Sequence, residues 1–431
     1  MTPIKIGLAG FGTVGSGLAR ILDMNGDRIA RRVGRRIEIK TVLVRDLQKK
    51  RAFETGPDVT FTDDPARLID DPEISIVVEL MGGIGAAKTL ITDAFNAKKH
   101  VVTANKHLLA EHGPELFALA AKRQCGLLFE ASCAGGIPIV QTLKESLAGD
   151  EIVSMLGIMN GTANYILSEM TTKGLDFDTA LREAQDLGYA EADPTFDIEG
   201  MDTAHKLCVL IRLAYGVDFP LKDIPVQGIT SVTPQDIQFA REFGYRIKLL
   251  AHVAQVNGKL EAGVHPALVP YTYLLARVGG NYNAVRVTGN AVGPIMLHGQ
   301  GAGDLPTGSA VLADIMHLAR HINSNVVTNN TGFGSDPLPP AEIHPPEETV
   351  SKYYFRFTVQ DRTGVMAAIT KSMATHGVSI AQAVQTGEVG GDGVPLVIVS
   401  HDTKASAVEA VAREIDAMDF TVEPCVKFRI L

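Results

Sequence analysis

The chain has 431 residues, enough for two or three domains, because one hydrophobic core rarely grows beyond about 250–300 residues. Hydrophobic residues make up 45% of it and charged residues 21%, which is typical of a globular protein rather than a disordered or fibrous one. Its 40 Lys and Arg against 49 Asp and Glu give a net charge of −9, which argues against nucleic acid or an acidic membrane as a partner.

The sequence contains no membrane-spanning or targeting pattern. No stretch reaches the roughly 18–20 uninterrupted apolar residues of a membrane span, and the glycine-rich N-terminus is unlike a signal peptide. The four cysteines have no paired or framework spacing, which favours reduced thiols. We therefore predict a cytoplasmic enzyme.

Short apolar runs alternate with amphipathic segments up to about residue 145, a pattern that predicts a parallel sheet covered by helices. The predicted strands are Ile4–Gly10, Ile37–Val44, Ile74–Leu80, His100–Thr103 and Leu127–Glu130. The predicted helices are Val14–Leu22, Ala86–Ala97 and Pro114–Arg123. The sequence therefore predicts a doubly wound α/β domain over residues 1–145.

Residues 146–302 have a mixed pattern that predicts an α+β domain. The predicted elements are strand Ile152–Ile158, helices Ala163–Met170 and Thr179–Leu187, a hairpin of Tyr245–Gln255 and Lys259–Val264 around Asn257-Gly258, and strand Val285–Thr288. A further helix, Leu305–His321, is expected to return to the first domain, so that residues 303–325 complete it.

Residues 326–349 contain five prolines and little apolar periodicity, which predicts a linker. Beyond it the predicted order is β-α-β-β-α-β. The six elements are Tyr353–Gln360, Gly364–Thr375, Val378–Gln385, Pro395–His401, Ser406–Met418 and Thr421–Ile430. This order predicts a ferredoxin-like domain over residues 350–431.

A glycine-rich segment follows the first strand and opens the first helix: Gly10-Phe11-Gly12-Thr13-Val14-Gly15. Gly10 permits a tight turn, Gly12 lets the backbone approach a pyrophosphate, and Gly15 lets the helix pack on the strand. The helix N-terminus would then face the phosphates with unpaired N–H groups. This strand–turn–helix context predicts a dinucleotide site.

The end of the second strand bears on the choice of coenzyme. Arg45 at its tip, with Lys49, Lys50 and Arg51 behind, suits a 2′-phosphate and favours NADP(H). The alternatives are a solvated basic surface, or NAD(H) bound through Asp46.

A carboxylate-rich loop precedes a predicted helix that begins near Asp202 and carries Lys206. Asp202 and Lys206 are four residues apart and share a helix face, so one interpretation is a helix cap with a surface ion pair worth about 0–1 kcal/mol. The other is catalytic, because a hydride-transfer enzyme needs a positioned amine beside the substrate oxygen and carboxylates to hold an ammonium group.

Lys106 lies just beyond the predicted strand His100–Thr103, at the edge where doubly wound sheets bind ligands. A solvated loop lysine is the alternative interpretation. His317 and His321 are four residues apart, but no third zinc ligand accompanies them, which favours a helix-surface pair.

At these residues the chain resembles the homoserine dehydrogenase family. The resemblance is carried by Ala184, Gly188, Asp193-Pro194, Asp197, Gly200, Asp202 and Lys206, and by the segments at residues 78–83, 103–106, 160–165 and 299–304. It implies interconversion of L-aspartate 4-semialdehyde and L-homoserine with NAD(P)(H), in threonine, methionine and isoleucine biosynthesis.

The resemblance also implies roles for single residues. Lys206 would be the general acid/base, assisted by Lys106 near the nicotinamide. Glu191, Asp197 and Asp202 would bind or order the amino-acid substrate, and Gly188 and Gly303 would lie near the cofactor. Sodium would be coordinated by Glu130 and by the backbone carbonyls of Cys133, Gly135 and Ile137.

The C-terminal unit resembles an ACT domain through Asp361-Arg362-Thr363-Gly364-Val365, which implies an amino-acid effector. We hypothesise feedback inhibition by L-threonine. The middle segment is then a substrate-binding and dimerisation domain, and the family implies a homodimer or homotetramer.

Two rival functions are considered. One is another NADP-dependent aldehyde or hydroxy-acid dehydrogenase, such as aspartate-semialdehyde dehydrogenase. The aspartate-semialdehyde dehydrogenase reaction needs a cysteine nucleophile with a partner, and Cys133 has no evident one. A catalytically silent metabolite sensor would be expected to lack the lysines, and both are present.

Overall fold

The computed structural model describes residues 2–322, 330–334, 337–385 and 393–431. The strands are β1 Ile4–Ala9, β2 Ile37–Leu43, β3 Thr60–Thr62, β4 Ile74–Glu79, β5 His100–Thr103, β6 Leu127–Leu128, β7 Ile152–Ile158, β8 Tyr245–Val256, β9 Lys259–Pro270, β10 Tyr282–Gly289, β11 Gly293–Gln300, β12 Val350–Val359, β13 Ile380–Gln385, β14 Val394–Ser400, β15 Thr403–Lys404 and β16 Thr421–Ile430. The helices are α1 Thr13–Val33, α2 Ala66–Ile69, α3 Gly85–Asn96, α4 Lys106–Arg123, α5 Ile139–Gln141, α6 Gly161–Lys173, α7 Phe177–Asp186, α8 Thr195–Ile198, α9 Met201–Tyr215, α10 Pro234–Glu242, α11 Asp304–His321, α12 Val365–Thr375 and α13 Ala405–Asp416.

The chain divides into two compact units, and the division falls within β7. The first unit contains residues 1–155, 202–224 and 282–341, and the second contains residues 156–201, 225–281 and 342–431. Within the described residues, no helix combines the length and apolarity that a membrane crossing requires.

The first unit is built on a six-stranded sheet in the order β3-β2-β1-β4-β5-β6, with every neighbouring pair parallel. This is the strand order of a Rossmann-type dinucleotide fold, so the predicted parallel sheet is confirmed. Its central strands are almost fully buried because they consist of Ile, Val and Leu runs. The carboxyl ends of β1 and β4 lie side by side, since Ala9 pairs with Glu79.

Helix α11 packs against α1 in the first unit, through two glycines. A Cβ at Gly17 would lie 2.1 Å from the carbonyl oxygen of Asp304, and one at Gly308 would lie 2.8 Å from the amide nitrogen of Leu18. Any larger residue at these positions would force the two helices apart. The close approach explains why a helix late in the chain joins the N-terminal sheet.

The second unit contains a mixed sheet in which β8-β9-β16-β12-β14-β13 are consecutive neighbours. The β8–β9 hairpin turns at Asn257 and Gly258, both with positive φ, as predicted from the sequence. Strand β16 pairs parallel with β9 and antiparallel with β12.

From Val350 to Ile430 the elements follow the order β-α-β-β-α-β, with the two-residue β15 before α13. Alternate residues of β12 share one face, and Tyr353, Phe355 and Phe357 pack there into a core with α12 and α13. On the opposite face, Arg356 Nε donates to Oδ1 of Asp236 at 2.7 Å.

Several element bounds differ from the sequence predictions. Helix α1 continues to Val33 through polar turns, α4 begins at Lys106 and includes Pro114, and β3 and β11 had no prediction. Residues 323–329 and 335–336 lie outside the described residues, so parts of the predicted linker and of the segment 303–325 are not described.

Candidate functional site

The glycine loop has the backbone geometry that its sequence predicts. Gly10 has φ +98°, and a Cβ there would lie 2.5 Å from the carbonyl oxygen of Leu80. A Cβ at Gly15 would lie 2.6 Å from the carbonyl oxygen of Gly10. These two glycines are therefore required for the loop to pass close to β4 and for α1 to pack on the loop.

Gly12 differs from its two neighbours because a Cβ at that position would meet nothing within 4 Å. It caps α1 without a side-chain hydrogen bond, and both Gly12 and Thr13 are exposed. The open side of Gly12 and the uncapped helix N-terminus form a cradle that fits a pyrophosphate. Phe11 and Val14 are turned toward the core of the unit.

The basic residues after β2 lie near this loop. Arg45 is exposed just beyond the end of β2. The guanidinium of Arg51 lies 5.1 Å from the ring centroid of Phe61, which in turn packs edge-to-face on Phe11 of the loop at 5.6 Å. Asp46 Oδ1 accepts the Gln48 backbone N–H at 2.9 Å.

Lys106 is the first residue of α4, directly after β5. Asn105 caps the helix by accepting the Leu108 N–H at 3.1 Å, and its own N–H donates to Thr103 Oγ1 at 3.0 Å. Thr103 donates to Oε2 of Glu79 at 2.6 Å, and Glu79 has 0% exposure. This buried network fixes the start of α4 at the carboxyl edge of the parallel sheet.

Both predicted catalytic lysines contact one carboxylate. Oδ1 of Asp202 lies 2.8 Å from Nζ of Lys106, and Oδ2 lies 2.6 Å from Nζ of Lys206. Asp202 and Lys206 are 3% and 8% exposed, so the surface ion-pair interpretation is wrong for this pair. One buried carboxylate therefore contacts two lysine amines, and the helix that carries Lys106 starts at the same carboxyl edge of the sheet at which the glycine loop begins.

The charge of Asp202 depends on those two amines. Burial alone would raise its pKa, but the ammonium groups of Lys206 and Lys106 outweigh burial and hold the pKa of Asp202 well below its usual range. Two amines bridged by one buried carboxylate can place a proton donor and an electrostatic stabiliser side by side.

The other predicted substrate-binding acids belong to the second unit. Asp197 accepts the Asn160 side-chain amide at 2.7 Å and the Thr162 hydroxyl at 3.1 Å, so both of its oxygens are oriented. Glu191 is exposed in the loop that follows α7. The same loop contains Gly188, which has φ +74°.

The predicted cation loop lies in the first unit. Glu130 is buried, and its two carboxylate oxygens accept the N–H groups of Val140 at 2.9 Å and Gln141 at 2.8 Å. Burial, opposed by these two donors, raises the pKa of Glu130 to about 7. The Cys133 thiol is also buried, with its pKa raised to about 12, so it is not an ionised ligand. A carboxylate with backbone carbonyls is an oxygen donor set that suits a hard cation.

Gly135 of that loop approaches the segment that precedes α11. A Cβ at Gly135 would lie 2.4 Å from the carbonyl carbon of Gly301, and the Ile137 carbonyl accepts the Ile139 N–H at 2.8 Å. Gly303 caps α11 with φ +120°. Glycines at these positions let two loops of the first unit touch through their backbones.

Comparison with known proteins identifies the family. A family model described as homoserine dehydrogenase matches residues 138–316, and one described as its NAD binding domain matches residues 10–130. The homoserine dehydrogenase of Neisseria gonorrhoeae is 42% identical, over 100% of this chain and 99% of that protein. The chain belongs to the homoserine dehydrogenase family. It is therefore an NAD(P)-dependent oxidoreductase of amino-acid biosynthesis.

Solved structures of homoserine dehydrogenases have the same fold. The enzyme from Thiobacillus denitrificans is 43% identical with a TM-score of 0.94, covering 100% of this chain and 99% of that one. A hyperthermophilic archaeal homoserine dehydrogenase in complex with NADPH is 27% identical with a TM-score of 0.60, covering 73% of this chain and 97% of that one.

The sequence identified both lysines and Asp202, but it missed their common contact and the residues that support them. Glu79 was visible as an acid within a strand of Ile and Val residues, which is an unusual place for a charge. Asn160 and Thr162 were visible only as members of a family motif. The contact of Lys106 with Asp202 joins α4 to α9, which are distant in the sequence, so no local sequence pattern could predict it.

Proposed function

We propose that this homoserine dehydrogenase interconverts L-aspartate 4-semialdehyde and L-homoserine with Lys206 as general acid/base and Lys106 as its assistant. The observation that carries the assignment is the buried Asp202 carboxylate, which lies within 2.8 Å of both lysine amines. Its place at the carboxyl edge of the parallel sheet, which also carries the glycine loop, supports it further.

The nicotinamide coenzyme, when bound, supplies or accepts the hydride at the substrate carbon. In the reducing direction Lys206 donates a proton to the carbonyl oxygen as negative charge develops on it, and in the oxidising direction Lys206 removes the hydroxyl proton. Lys106 stabilises the same developing charge. Asp202 keeps both amines in place, so the carboxylate acts through them.

Glu191 and Asp197 are proposed to bind the ammonium group of the amino-acid substrate or to order its site. For Asp197 the support is its orientation, because the side chains of Asn160 and Thr162 donate to its two carboxylate oxygens. An ammonium ion is the natural complement of such a carboxylate. Two glycines are proposed to lie near the coenzyme. They are Gly188, in the loop that carries Glu191, and Gly303, which caps α11.

NADP(H) is proposed as the preferred coenzyme, with NAD(H) also accepted. The phosphates would lie on residues 10–15, and Arg45 would pair with the 2′-phosphate. The support is the exposed position of Arg45, the stacking of Arg51 on Phe61 beside the loop, and the NADPH in the archaeal relative. Tighter binding of NADH than of NADPH in a fluorescence titration would contradict this preference.

Four further proposals rest on the family and on the fold. Sodium would bind through Glu130 and the carbonyls of Cys133, Gly135 and Ile137, as the oxygen donor set allows. Residues 350–431 would form an ACT domain that binds an amino-acid effector such as L-threonine, supported by their β-α-β-β-α-β order.

Residues 1–145 with 303–325 would bind coenzyme and residues 146–302 would bind substrate, in a homodimer or homotetramer. The cytoplasmic location stays a prediction.

One assay tests the function. NADP⁺ reduction is followed spectrophotometrically with L-homoserine, with L-malate and glycerate as control substrates and NAD⁺ as a parallel coenzyme. We expect rapid reduction with L-homoserine alone. Turnover of a hydroxy acid but not of L-homoserine would replace the proposed substrate, and no turnover with any of the three would favour a sensor.

A further inference from the structure

Two histidines and a glutamate form a cluster on α4 and α9 in the first unit. One ring nitrogen each of His107 and His205 and one carboxylate oxygen of Glu111 all lie within 4.8 Å of one another. Among the described residues, no other group of His, Cys, Asp and Glu side chains meets this criterion for a metal site. We propose that His107, Glu111 and His205 bind a divalent transition-metal ion such as Zn²⁺.

The geometry of the cluster needs only a small adjustment to hold the ion. His107 and Glu111 are four residues apart on one face of α4, with Nε2 and Oε1 separated by 2.8 Å. The ring of His205 meets that of His107 edge-to-face, with 4.7 Å between centroids. Ligand atoms of a tetrahedral Zn²⁺ site lie roughly 3.3 Å apart, given Zn–N and Zn–O bonds of about 2.0–2.2 Å. Shifts of about 1 Å would therefore complete the site.

The exposure of the three side chains suits an ion that enters from solvent. The side chains of His107 and Glu111 are each 39% exposed, whereas His205 is 2% exposed. Three protein ligands leave a fourth position, which water can occupy. Imidazole and carboxylate ligands suit Zn²⁺ and its neighbours in the first transition series better than Ca²⁺ or Mg²⁺.

A helix-surface ion pair explains only part of this arrangement. It accounts for His107 and Glu111, but not for the buried imidazole that meets them from α9. The chain offers a comparison in His376 and Glu414, whose Nε2 and Oε2 lie 2.7 Å apart. Among the described residues, no third ligand group lies close enough to that second pair to complete a metal site. It therefore serves as the control for Zn²⁺ binding by an ordinary ion pair.

The cluster is next to the lysines in the chain. His107 follows Lys106, and His205 precedes Lys206. An ion bound to both histidines would therefore join the first turns of α4 and α9, the same two turns that Asp202 already links. We expect occupancy to raise the melting temperature, since an ion that binds only the folded state stabilises it.

The test is titration of the full-length, chelator-treated protein with ZnCl₂ by isothermal calorimetry, without coenzyme or substrate. We expect one ion bound per chain. His107→Gln and Glu111→Gln should each weaken binding at least about tenfold and abolish the rise in melting temperature. Both positions are partly exposed, so both variants should fold. His376→Gln is the matched control and should bind Zn²⁺ like the parent.

Equal Zn²⁺ affinity in the parent, His107→Gln and Glu111→Gln would overturn the proposal, and so would an absence of binding by the parent. Loss of binding in His376→Gln but in neither α4 variant would place the ion elsewhere. Substitution with Co²⁺ gives a second readout, because imidazole ligands produce visible absorption bands that should vanish in the α4 variants. None of these measurements depends on the proposed catalytic roles.

Discussion

Lys206 in the first unit and Lys248 in the second are both buried, and their amines have different partners. In the first unit Lys206 is 8% exposed and its Nζ lies 2.6 Å from a carboxylate oxygen of Asp202. In the second unit Lys248 is 2% exposed, and its Nζ donates to neutral oxygens, Asn164 Oδ1 at 2.9 Å and the Val278 carbonyl at 2.5 Å. Burial, with a smaller contribution from Arg246, lowers the pKa of Lys248 to about 7.

The difference teaches that the partners of a buried amine, and not its burial alone, govern its charge. A buried amine with neutral partners tends to lose its proton, because nothing compensates its desolvated charge. A carboxylate partner changes this balance, and at Asp202 the effect is visible in a pKa held far below the usual range by two amines. Proton transfer is proposed only for Lys206, which shares Asp202 with Lys106, whereas the partners of Lys248 are an amide and a backbone carbonyl of its own unit.

The sharpest test of this comparison substitutes methionine for each lysine. Lys206→Met should reduce kcat by about 10²- to 10⁴-fold, the usual contribution of a general acid/base. Lys248→Met should change kcat only a few-fold, because methionine fills the same space without a buried amine. Steady-state kinetics with L-homoserine and NADP⁺ measures both. Near-normal turnover in Lys206→Met would refute its role.

Asp202→Asn should have the next largest effect. It leaves two amines beside a neutral amide, and breaking a buried ion pair costs about 3–5 kcal/mol. Chemical denaturation should therefore show a large loss of stability, together with reduced kcat. Because the folded pKa of Asp202 is lowered, its stabilising contribution is present above the unfolded pKa near 4 and is lost as the pH falls below it. The parent should thus lose stability in acid more steeply than Asp202→Asn.

Lys106→Gln tests the second amine held by that carboxylate. The side chain of Lys106 is 34% exposed, so its removal should destabilise the fold less than Asp202→Asn does. Loss of one electrostatic stabiliser of a developing oxyanion costs about 10²-fold in kcat. Lys106→Arg, which keeps the charge, should recover part of that loss. A change confined to the KM for coenzyme would instead assign Lys106 to binding.

Much of the fold followed from sequence because its signals are local. Apolar runs and the glycine loop located β1, β4 and β5, and Asn257-Gly258 located the β8–β9 hairpin. The start of α4 was missed, because the sequence predicted a helix only from Pro114, whereas the helix runs through Pro114 from its cap at Asn105. That error hid the fact that Lys106 begins a helix.

The site was less accessible to sequence reasoning. The spacing of Asp202 and Lys206 predicted their contact, since residues four apart share a helix face. The spacing did not predict that the pair is buried. It also did not predict that Lys106, which belongs to α4, contacts Asp202. Burial and long-range contacts are tertiary properties. Lys248, like Glu79, was visible only as a charge within an apolar strand.

The smallest expected effect is the pH dependence of stability that Lys248 creates. Its folded pKa of about 7 lies below its ordinary value of 10.5, so between these pH values the unfolded chain binds more protons than the folded one. Stability should then rise with pH, by at most about 1.4 kcal/mol per pH unit for one proton. Denaturation from pH 7 to 10 measures this slope, and subtracting the slope of Lys248→Met isolates the lysine.

The variant Asn164→Asp extends the measurement of stability against pH, because it gives Lys248 a carboxylate partner like that of Lys206. A carboxylate in place of the amide oxygen at 2.9 Å should raise the pKa of Lys248 and flatten the slope over this range. An unchanged slope would mean that burial, not the partner, governs the charge of this amine. The contrast between Lys206 and Lys248 would then need another explanation.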